Sequence, residues 1–119
     1  MSQHLEPGDF LVFQLEAGFA LLRLLAVDEA DGEKTWHLAA YSDLFPDVDS
    51  AEALTTDTSR LTVSHPHLAL TDRAFESTQV AKIANLPLTS EETSQLEEWR
   101  KRGEMFVSDR SVRLMLGLR

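Results

Sequence analysis

The strongest constraint on this chain is a dense block of apolar residues over Phe10–Tyr41. It contains two runs, Phe10–Leu15 and Phe19–Val27, and a third, Thr35–Tyr41, that follows a turn at Asp31-Gly32. Bulky apolar residues are sparser in the rest of the chain. Because burial of apolar surface drives folding, the later elements must pack on this block.

The first run alternates with a period of two, which is typical of a strand. Leu11, Phe13 and Leu15 share one face, while Phe10 and Val12 share the other. A strand that is apolar on both faces belongs to a sheet that is covered on both sides.

The second run, Phe19–Val27, is compatible with a strand or a helix. Its Ala, Leu and Arg residues favour a helix, and only Val27 is β-branched. A helix that is apolar nearly all round would have to be central and buried, which is rare in 119 residues. We therefore prefer a strand, followed by a hairpin loop over Asp28–Lys34 with Gly32 at positive φ. With Thr35–Tyr41 as the third strand, the prediction is an antiparallel meander.

The middle of the chain predicts shorter elements. Asp49 and Glu52 have the spacing of a capping box, which predicts a short helix around Ser50–Leu54. Beyond it we predict two short edge strands interrupted by Pro66, a turn anchored by Phe75, and one more strand. These elements cover Leu61–Val63, His67–Leu70, Asp72–Ser77 and Gln79–Ile83.

The clearest helix signal begins at Thr89, the predicted N-cap, with Glu92 three residues later. The basic run Arg100–Arg102 complements the helix dipole at its end, and Gly103 marks the stop. After it, Ser108 could cap a short helix over Asp109–Leu116, and a strand over Ser111–Leu116 is the competing prediction. Together these elements predict a single α+β domain over residues 1–119. Its core is a twisted antiparallel sheet or a small SH3-like barrel, with one amphipathic helix on the C-terminal side.

Composition excludes several classes of function. The chain has no cysteine, which excludes disulfides, thiol catalysis and Cys-based zinc sites. The N-terminus has no signal-peptide pattern, and no apolar run approaches the length of a membrane span. We expect a soluble, cytoplasmic protein.

Charge is distributed unevenly along the chain. Residues 1–59 carry twelve acidic and two basic side chains, whereas residues 60–119 carry eight acidic and nine basic ones. The net charge of −9 repels nucleic acid and anionic membranes, so neither is an expected partner. It would attract a basic protein partner, although solubility alone also accounts for it.

The predicted partner-binding residues are the carboxylates of two acidic stretches, together with one aromatic residue among them. They are Asp43, Phe45, Asp47, Asp49, Glu52 and Asp57, with Asp31 and Glu33. A calcium loop beginning at Asp47 is excluded, because it lacks the required glycine and the closing glutamate.

His65 and His67 are the most metal-like pair, because residues i and i+2 of a strand point to the same face. His37 or Asp72 could complete a site, but nothing in the spacing requires them. We predict no metal, no cofactor and no catalytic residue. For Arg23, which interrupts an apolar strand, two alternatives stand: an acidic partner across the sheet, or a surface-facing side chain.

The stretch Pro7–Leu24 resembles the start of small bacterial SH3-like barrels such as the immunity protein 26 group. It has a Gly-Asp pair, an apolar strand, a glycine-containing turn and a second apolar strand with Arg23. The resemblance covers about a sixth of the chain. It implies a non-catalytic protein that binds and neutralises a toxin, often a basic nuclease.

We therefore expect a non-catalytic binding module that uses an acidic face around Asp43–Asp57 and Asp28–Glu33. A small metal-dependent enzyme using His37, His65 and His67 is the first alternative. The second is a homo-oligomer in which the acidic half meets the basic tail, residues 100–119, of a neighbouring copy.

Overall fold

The computed structural model describes residues 4–102 and 107–109, and its centre is one antiparallel sheet. The five strands are β1 (Asp9–Leu15), β2 (Gly18–Ala30), β3 (Glu33–Phe45), β4 (Val63–Thr71) and β5 (Ala81–Asn85). Their order is β4-β3-β2-β1-β5, so the sheet is open and β4 and β5 form its edges in the described part of the chain. This confirms the α+β class. A twisted antiparallel sheet and a small barrel were the two expected alternatives, and the structure has the sheet.

The N-terminal block forms the predicted meander. Strand β1 pairs with β2 from Phe10↔Arg23 to Leu15↔Gly18, and β2 pairs with β3 out to Ala30↔Glu33. The run 19–27 is therefore a strand, and the helix alternative is wrong. The loop after β2 is only Asp31-Gly32, with φ angles of 53° and 79°, which matches a two-residue hairpin turn. Strand pairing therefore replaces most of the longer loop predicted over 28–34.

The two faces of β1 lead to two different cores, as the alternation predicted. Leu11, Phe13 and Leu15 pack with Trp36 and Phe75 in a cluster on one face. Phe10 and Val12 pack with residues such as Tyr41, Phe45 and Ala51 on the other. Helices cover both faces of the sheet, which explains why a strand that is apolar on both faces is stable here.

Three α-helices cover the sheet: α1 (Val48–Leu54), α2 (Asp72–Thr78) and α3 (Ser90–Arg102). Helix α2 contributes Ala74 and Phe75 to the first cluster, so we call that side the α2 face. Helices α1 and α3 bury Ala51 and Leu96 on the opposite side, which we call the α3 face. Among the described helices, none has the length and apolar character needed to cross a membrane.

The three helices confirm one prediction and correct two. Helix α3 has the predicted capping box, because Glu92 N donates to Thr89 Oγ1 (3.2 Å) and Thr89 N donates to Glu92 Oε1 (2.9 Å). Helix α1 starts earlier than predicted, and its N-cap is Asp47 rather than Asp49, since Ser50 N donates to Asp47 Oδ1 (2.7 Å). Residues 72–78 form a helix instead of the predicted turn, with Phe75 as its buried anchor.

The strand predictions after α1 also need correction. The predicted pair of short strands is one edge strand, β4, which continues through Pro66. The register against β3 shifts between Leu38↔Leu68 and Ala40↔His65, and an edge strand with such an irregularity tolerates a proline. The last predicted strand is shifted to 81–85. The predicted stop at Gly103 and the alternatives over 110–116 lie outside the described residues.

Candidate functional site

The α3 face carries a cluster of polar side chains near each end of α3. Between them the helix is held by a narrow apolar seam, in which Leu96 is buried against Leu25 and Ala39. This seam agrees with the sequence of α3, which is polar over most of its surface. The polar clusters therefore decide much of how the helix docks.

The first cluster surrounds Arg23, which is 1% exposed. Its Nη2 atom donates to the carbonyl oxygens of Leu86 (2.9 Å) and Pro87 (3.2 Å). Nη2 also lies 3.6 Å from Oε2 of Glu92 on α3. The guanidinium carbon stands 4.0 Å from the centroid of the Phe10 ring, in a cation–π arrangement.

The surface-facing alternative for Arg23 is therefore wrong, and the alternative of an acidic partner is right only in part. The side chain is buried instead of surface-facing, and its acidic partner comes from helix α3 instead of a neighbouring strand. Within the described ranges, its Nε and Nη1 atoms have no hydrogen-bond partner. Glu92 thus provides the nearby negative charge that a buried guanidinium needs.

The second cluster is a hydrogen-bonded chain of three side chains. His37 Nε2 lies 3.0 Å from Asp28 Oδ2, and His37 Nδ1 lies 2.9 Å from His67 Nε2. Burial opposes ionisation of Asp28, but hydrogen bonds from Arg100 and His37 outweigh it and lower its pKa. With an ionised Asp28, a neutral His37 donates from Nε2 and accepts at Nδ1, so His67 donates from Nε2.

Helix α3 closes this second cluster. The Trp99 ring lies edge-on to His37, with 5.1 Å between centroids, and 5.5 Å from His67. Arg100 Nη2 donates to Asp28 Oδ1 at 2.7 Å. Burial lowers the pKa of His37, and Asp28 offsets this only in part. Burial, aided by the charges of His37, Arg100 and Arg102, lowers the pKa of His67 to about 4. Both imidazoles are therefore neutral at neutral pH.

The metal candidates identified from the sequence do not converge. His37 and His67 meet, whereas the contact of His65 is with Ser64 Oγ (3.2 Å). Asp72 accepts a hydrogen bond from the Trp36 indole on the α2 face, away from the histidines. Across residues 4–102 and 107–109, no three His, Asp or Glu side chains are grouped to hold a metal ion.

A cavity of about 530 Å³ opens on the α3 face beside the Arg23–Glu92 pair. Its walls come from β3, from the edge strand β4, from a 3₁₀ turn at Thr58–Arg60, and from the first turns of α3. The lining residues are Ala39, Tyr41, Thr58, Ser59, Val63, Pro66, Thr89, Glu91, Glu92, Ser94 and Gln95. Burial raises the pKa of Tyr41 to about 12, so its phenol keeps its proton.

The structure separates the two acidic stretches predicted to form one face. Asp31 and Glu33 lie at the hairpin that begins β3, whereas Asp43 lies near its other end. The ten residue steps from Glu33 to Asp43 cover roughly 33 Å of extended strand. The residues 43–57, which we call the acidic segment, therefore form a surface apart from the β2–β3 hairpin.

Within the acidic segment, three carboxylates accept hydrogen bonds from their own chain. Asp43 accepts from Thr62 N, Asp47 caps α1, and Asp57 accepts from Ser59 Oγ. Asp49 and Glu52 are exposed on α1. Phe45 is 6% exposed and belongs to the core under α1, so its side chain supports the segment from inside.

Sequence reasoning missed most contacts between elements at this face. The contact of Trp99 with two histidines was not predicted. The one available signal was His37, a polar residue in an otherwise apolar strand, since a buried polar group requires partners. The cavity had no signal, because its walls come from four separate parts of the chain.

We compared the chain with protein-family models, with curated proteins and with solved structures, and none of the three comparisons found a match.

Proposed function

We propose that this protein is a non-catalytic binding module whose acidic segment contacts a basic protein partner. The observation that carries the proposal is the absence of internal neutralisation in this segment. Asp43, Asp47, Asp49, Glu52 and Asp57 form no ion pair with a basic side chain in the described part of the chain.

The placement of the basic side chains supports this proposal. Among the residues that the structure describes, four Arg and Lys side chains form ion pairs, and each one uses a carboxylate outside the acidic segment. The pairs are Arg23–Glu92, Arg73–Asp109, Lys82–Asp9 and Arg100–Asp28. A concentrated, unneutralised acidic surface steers a basic partner and accelerates its association.

The proposal extends to the class of partner and to the location of the protein. The resemblance of residues 7–24 to the immunity protein 26 group supports a basic toxin as the partner. A chain without cysteine is in keeping with a cytoplasmic location, where both partners would meet.

The experiment compares the wild-type protein with Asp49→Asn/Glu52→Gln, immobilised and exposed to cell extract at low and high salt. These two side chains are exposed and form no ion pair with a described residue, so their neutralisation removes charge without breaking a described contact between elements. The expected result is a basic protein retained at low salt by the wild type and lost in the variant. The matched control is Glu97→Gln/Glu98→Gln, which removes the same charge from the exposed side of α3.

If the two double variants retain the same amount of the basic protein, the proposal is contradicted. An equal reduction would show that net charge, and not the acidic segment, controls binding. Light scattering at low salt addresses the homo-oligomer alternative. Self-association that the acidic-segment variant abolishes would identify a second copy as the partner instead.

A further inference from the structure

The cavity on the α3 face has a lining of one charge sign. Eleven residues of the described ranges line it; two of them, Glu91 and Glu92, are acidic and none of the eleven is basic. The remaining polar lining is uncharged and comes from hydroxyl and amide side chains such as Thr58, Ser59 and Gln95. An occupant with a positive group matches this lining, whereas an anionic occupant would meet two carboxylates.

The two glutamates differ in whether their carboxylates already have partners within the described part of the chain. Glu92 accepts from Thr89 N through Oε1, and its Oε2 faces buried Arg23. Glu91 is exposed, and it forms no ion pair with any described residue. Glu91 is therefore the carboxylate that remains available to a cation entering the cavity.

The apolar part of the lining suits a long side chain. Val63 is 50% exposed and Pro66 lies on the same edge strand, while Tyr41 contributes a neutral ring from β3. Such surfaces cover the methylene stem of a basic residue while its head group meets a carboxylate. A volume of about 530 Å³ lies within the range of pockets that bind specific ligands.

We propose that this cavity is the socket for an arginine side chain of the basic protein partner. This inference rests on the proposed function, and it joins the cavity to the acidic segment, because Thr58 and Ser59 directly follow Asp57. Arginine suits the site better than lysine, since its guanidinium is more weakly hydrated and can engage two acceptors at once.

The test adds a blocked Gly-Arg-Gly peptide to the full chain in solution. The measured quantity is the chemical shift of each backbone amide of the protein. The control peptide carries citrulline, which keeps the shape of arginine and lacks its charge. We expect shifts that saturate in the millimolar range and centre on Ala39, Val63 and Gln95. Citrulline should leave these amides unshifted. Equal shifts with both peptides, or shifts confined to the acidic segment, would overturn the inference.

Two single variants localise the interaction. Glu91→Gln should weaken arginine-peptide binding by about threefold to fivefold, the effect expected of one partly exposed ion pair. Glu98→Gln removes the same charge from an exposed site of α3 outside the cavity and should leave binding unchanged. If the two variants weaken binding equally, the effect is one of general charge and the socket is disproved. Cavity shifts that appear on concentrating the protein alone would also overturn the inference, by identifying a second copy as the occupant.

The two proposals fail in distinguishable ways. Loss of retention in Asp49→Asn/Glu52→Gln, together with arginine-peptide binding that Glu91→Gln leaves unchanged, would leave the binding module standing and disprove the socket. Arginine-specific shifts in the cavity, with no effect of the acidic-segment variant on retention, would disprove the broader surface and keep the socket as an isolated site.

Discussion

His67 Nε2 lies 2.9 Å from His37 Nδ1, so the two imidazoles share one hydrogen bond beneath Trp99 of α3. Asp28 anchors the far side of His37, and Arg100 of the same helix pairs with Asp28. The last turns of α3 are thus held against the sheet by an arrangement that requires neutral imidazoles.

The stability of the protein should fall on mild acidification. The pKa of His67 is about 4 in the folded protein, below its ordinary value of 6.5, and that of His37 is also lowered. Between about pH 4 and 6.5 the unfolded chain binds more protons than the folded protein. The free energy of unfolding that depends on neutral His67 is therefore fully present above pH 6.5 and is lost as the pH falls towards 4. For His67 alone we expect a loss of about 2 kcal/mol from about pH 7.5 to about pH 5, measured by urea unfolding.

The histidine pair offers its own control for this measurement. His67→Gln should flatten the dependence of unfolding free energy on pH over this interval, whereas His65→Gln should preserve it, because His65 contacts Ser64 and not His37. A stability that stays level down to about pH 5 in the wild type would contradict the neutral histidine pair.

Neutralising Glu92 should cost more stability than removing the charge of Arg23. Glu92→Gln leaves a guanidinium that is 1% exposed without a nearby carboxylate, and Gln can still accept from Thr89 N. We expect a loss of about 2 kcal/mol, below the value for a fully buried pair because Glu92 is 26% exposed. Arg23→Met should cost less, because it removes the buried charge and fills a similar space.

Urea unfolding of both variants tests this order. Glu98→Gln, at an exposed position of α3, is the control for the loss of one carboxylate and should be nearly neutral. A larger loss in Arg23→Met than in Glu92→Gln would show that the hydrogen bonds to Leu86 and Pro87, and not charge balance, set the energetics.

The capping box of α3 should contribute measurably to folding. Thr89→Ala removes the Oγ1 acceptor of Glu92 N, and we expect a loss of about 1 kcal/mol in thermal or urea unfolding. Thr93→Ala is the matched control, because its hydroxyl donates back to carbonyls of its own helix turn. Equal losses in the two variants would argue against a specific cap.

Gly18 should tolerate a side chain less well than Gly32. A Cβ on Gly18 would stand 2.5 Å from the carbonyl oxygen of Phe45, at a φ of 146°, whereas one on Gly32 meets nothing within 4 Å. We expect Gly18→Ala to cost at least about 2 kcal/mol, because backbone must move, and Gly32→Ala about 1 kcal/mol from its positive φ alone. Melting temperatures of the two variants in one buffer decide the order.

Local features of the sequence were sufficient for much of the fold. Alternation in β1, the Asp31-Gly32 turn and the Thr89–Glu92 box each act through residues close in the chain, and each led to a correct prediction. Helix α2 was missed because seven residues rarely hold a helix without tertiary contacts. Its stability comes from Phe75, which stacks on Trp36 with 4.0 Å between centroids.

The sequence by itself determined the first strand, the two-sided core and the charged character of the acidic segment, since periodicity and composition are properties of neighbouring residues. For Phe19–Val27 it only favoured a strand over a helix, and pairing with β1 and β3 decided the choice. Only the tertiary structure decided that Glu92 pairs with Arg23, that His67 meets His37, and that a cavity opens beside α3. These relationships depend on strand register and on where a mostly polar helix docks. Both are set by the free energy of packing the whole chain, in which no single segment carries the information.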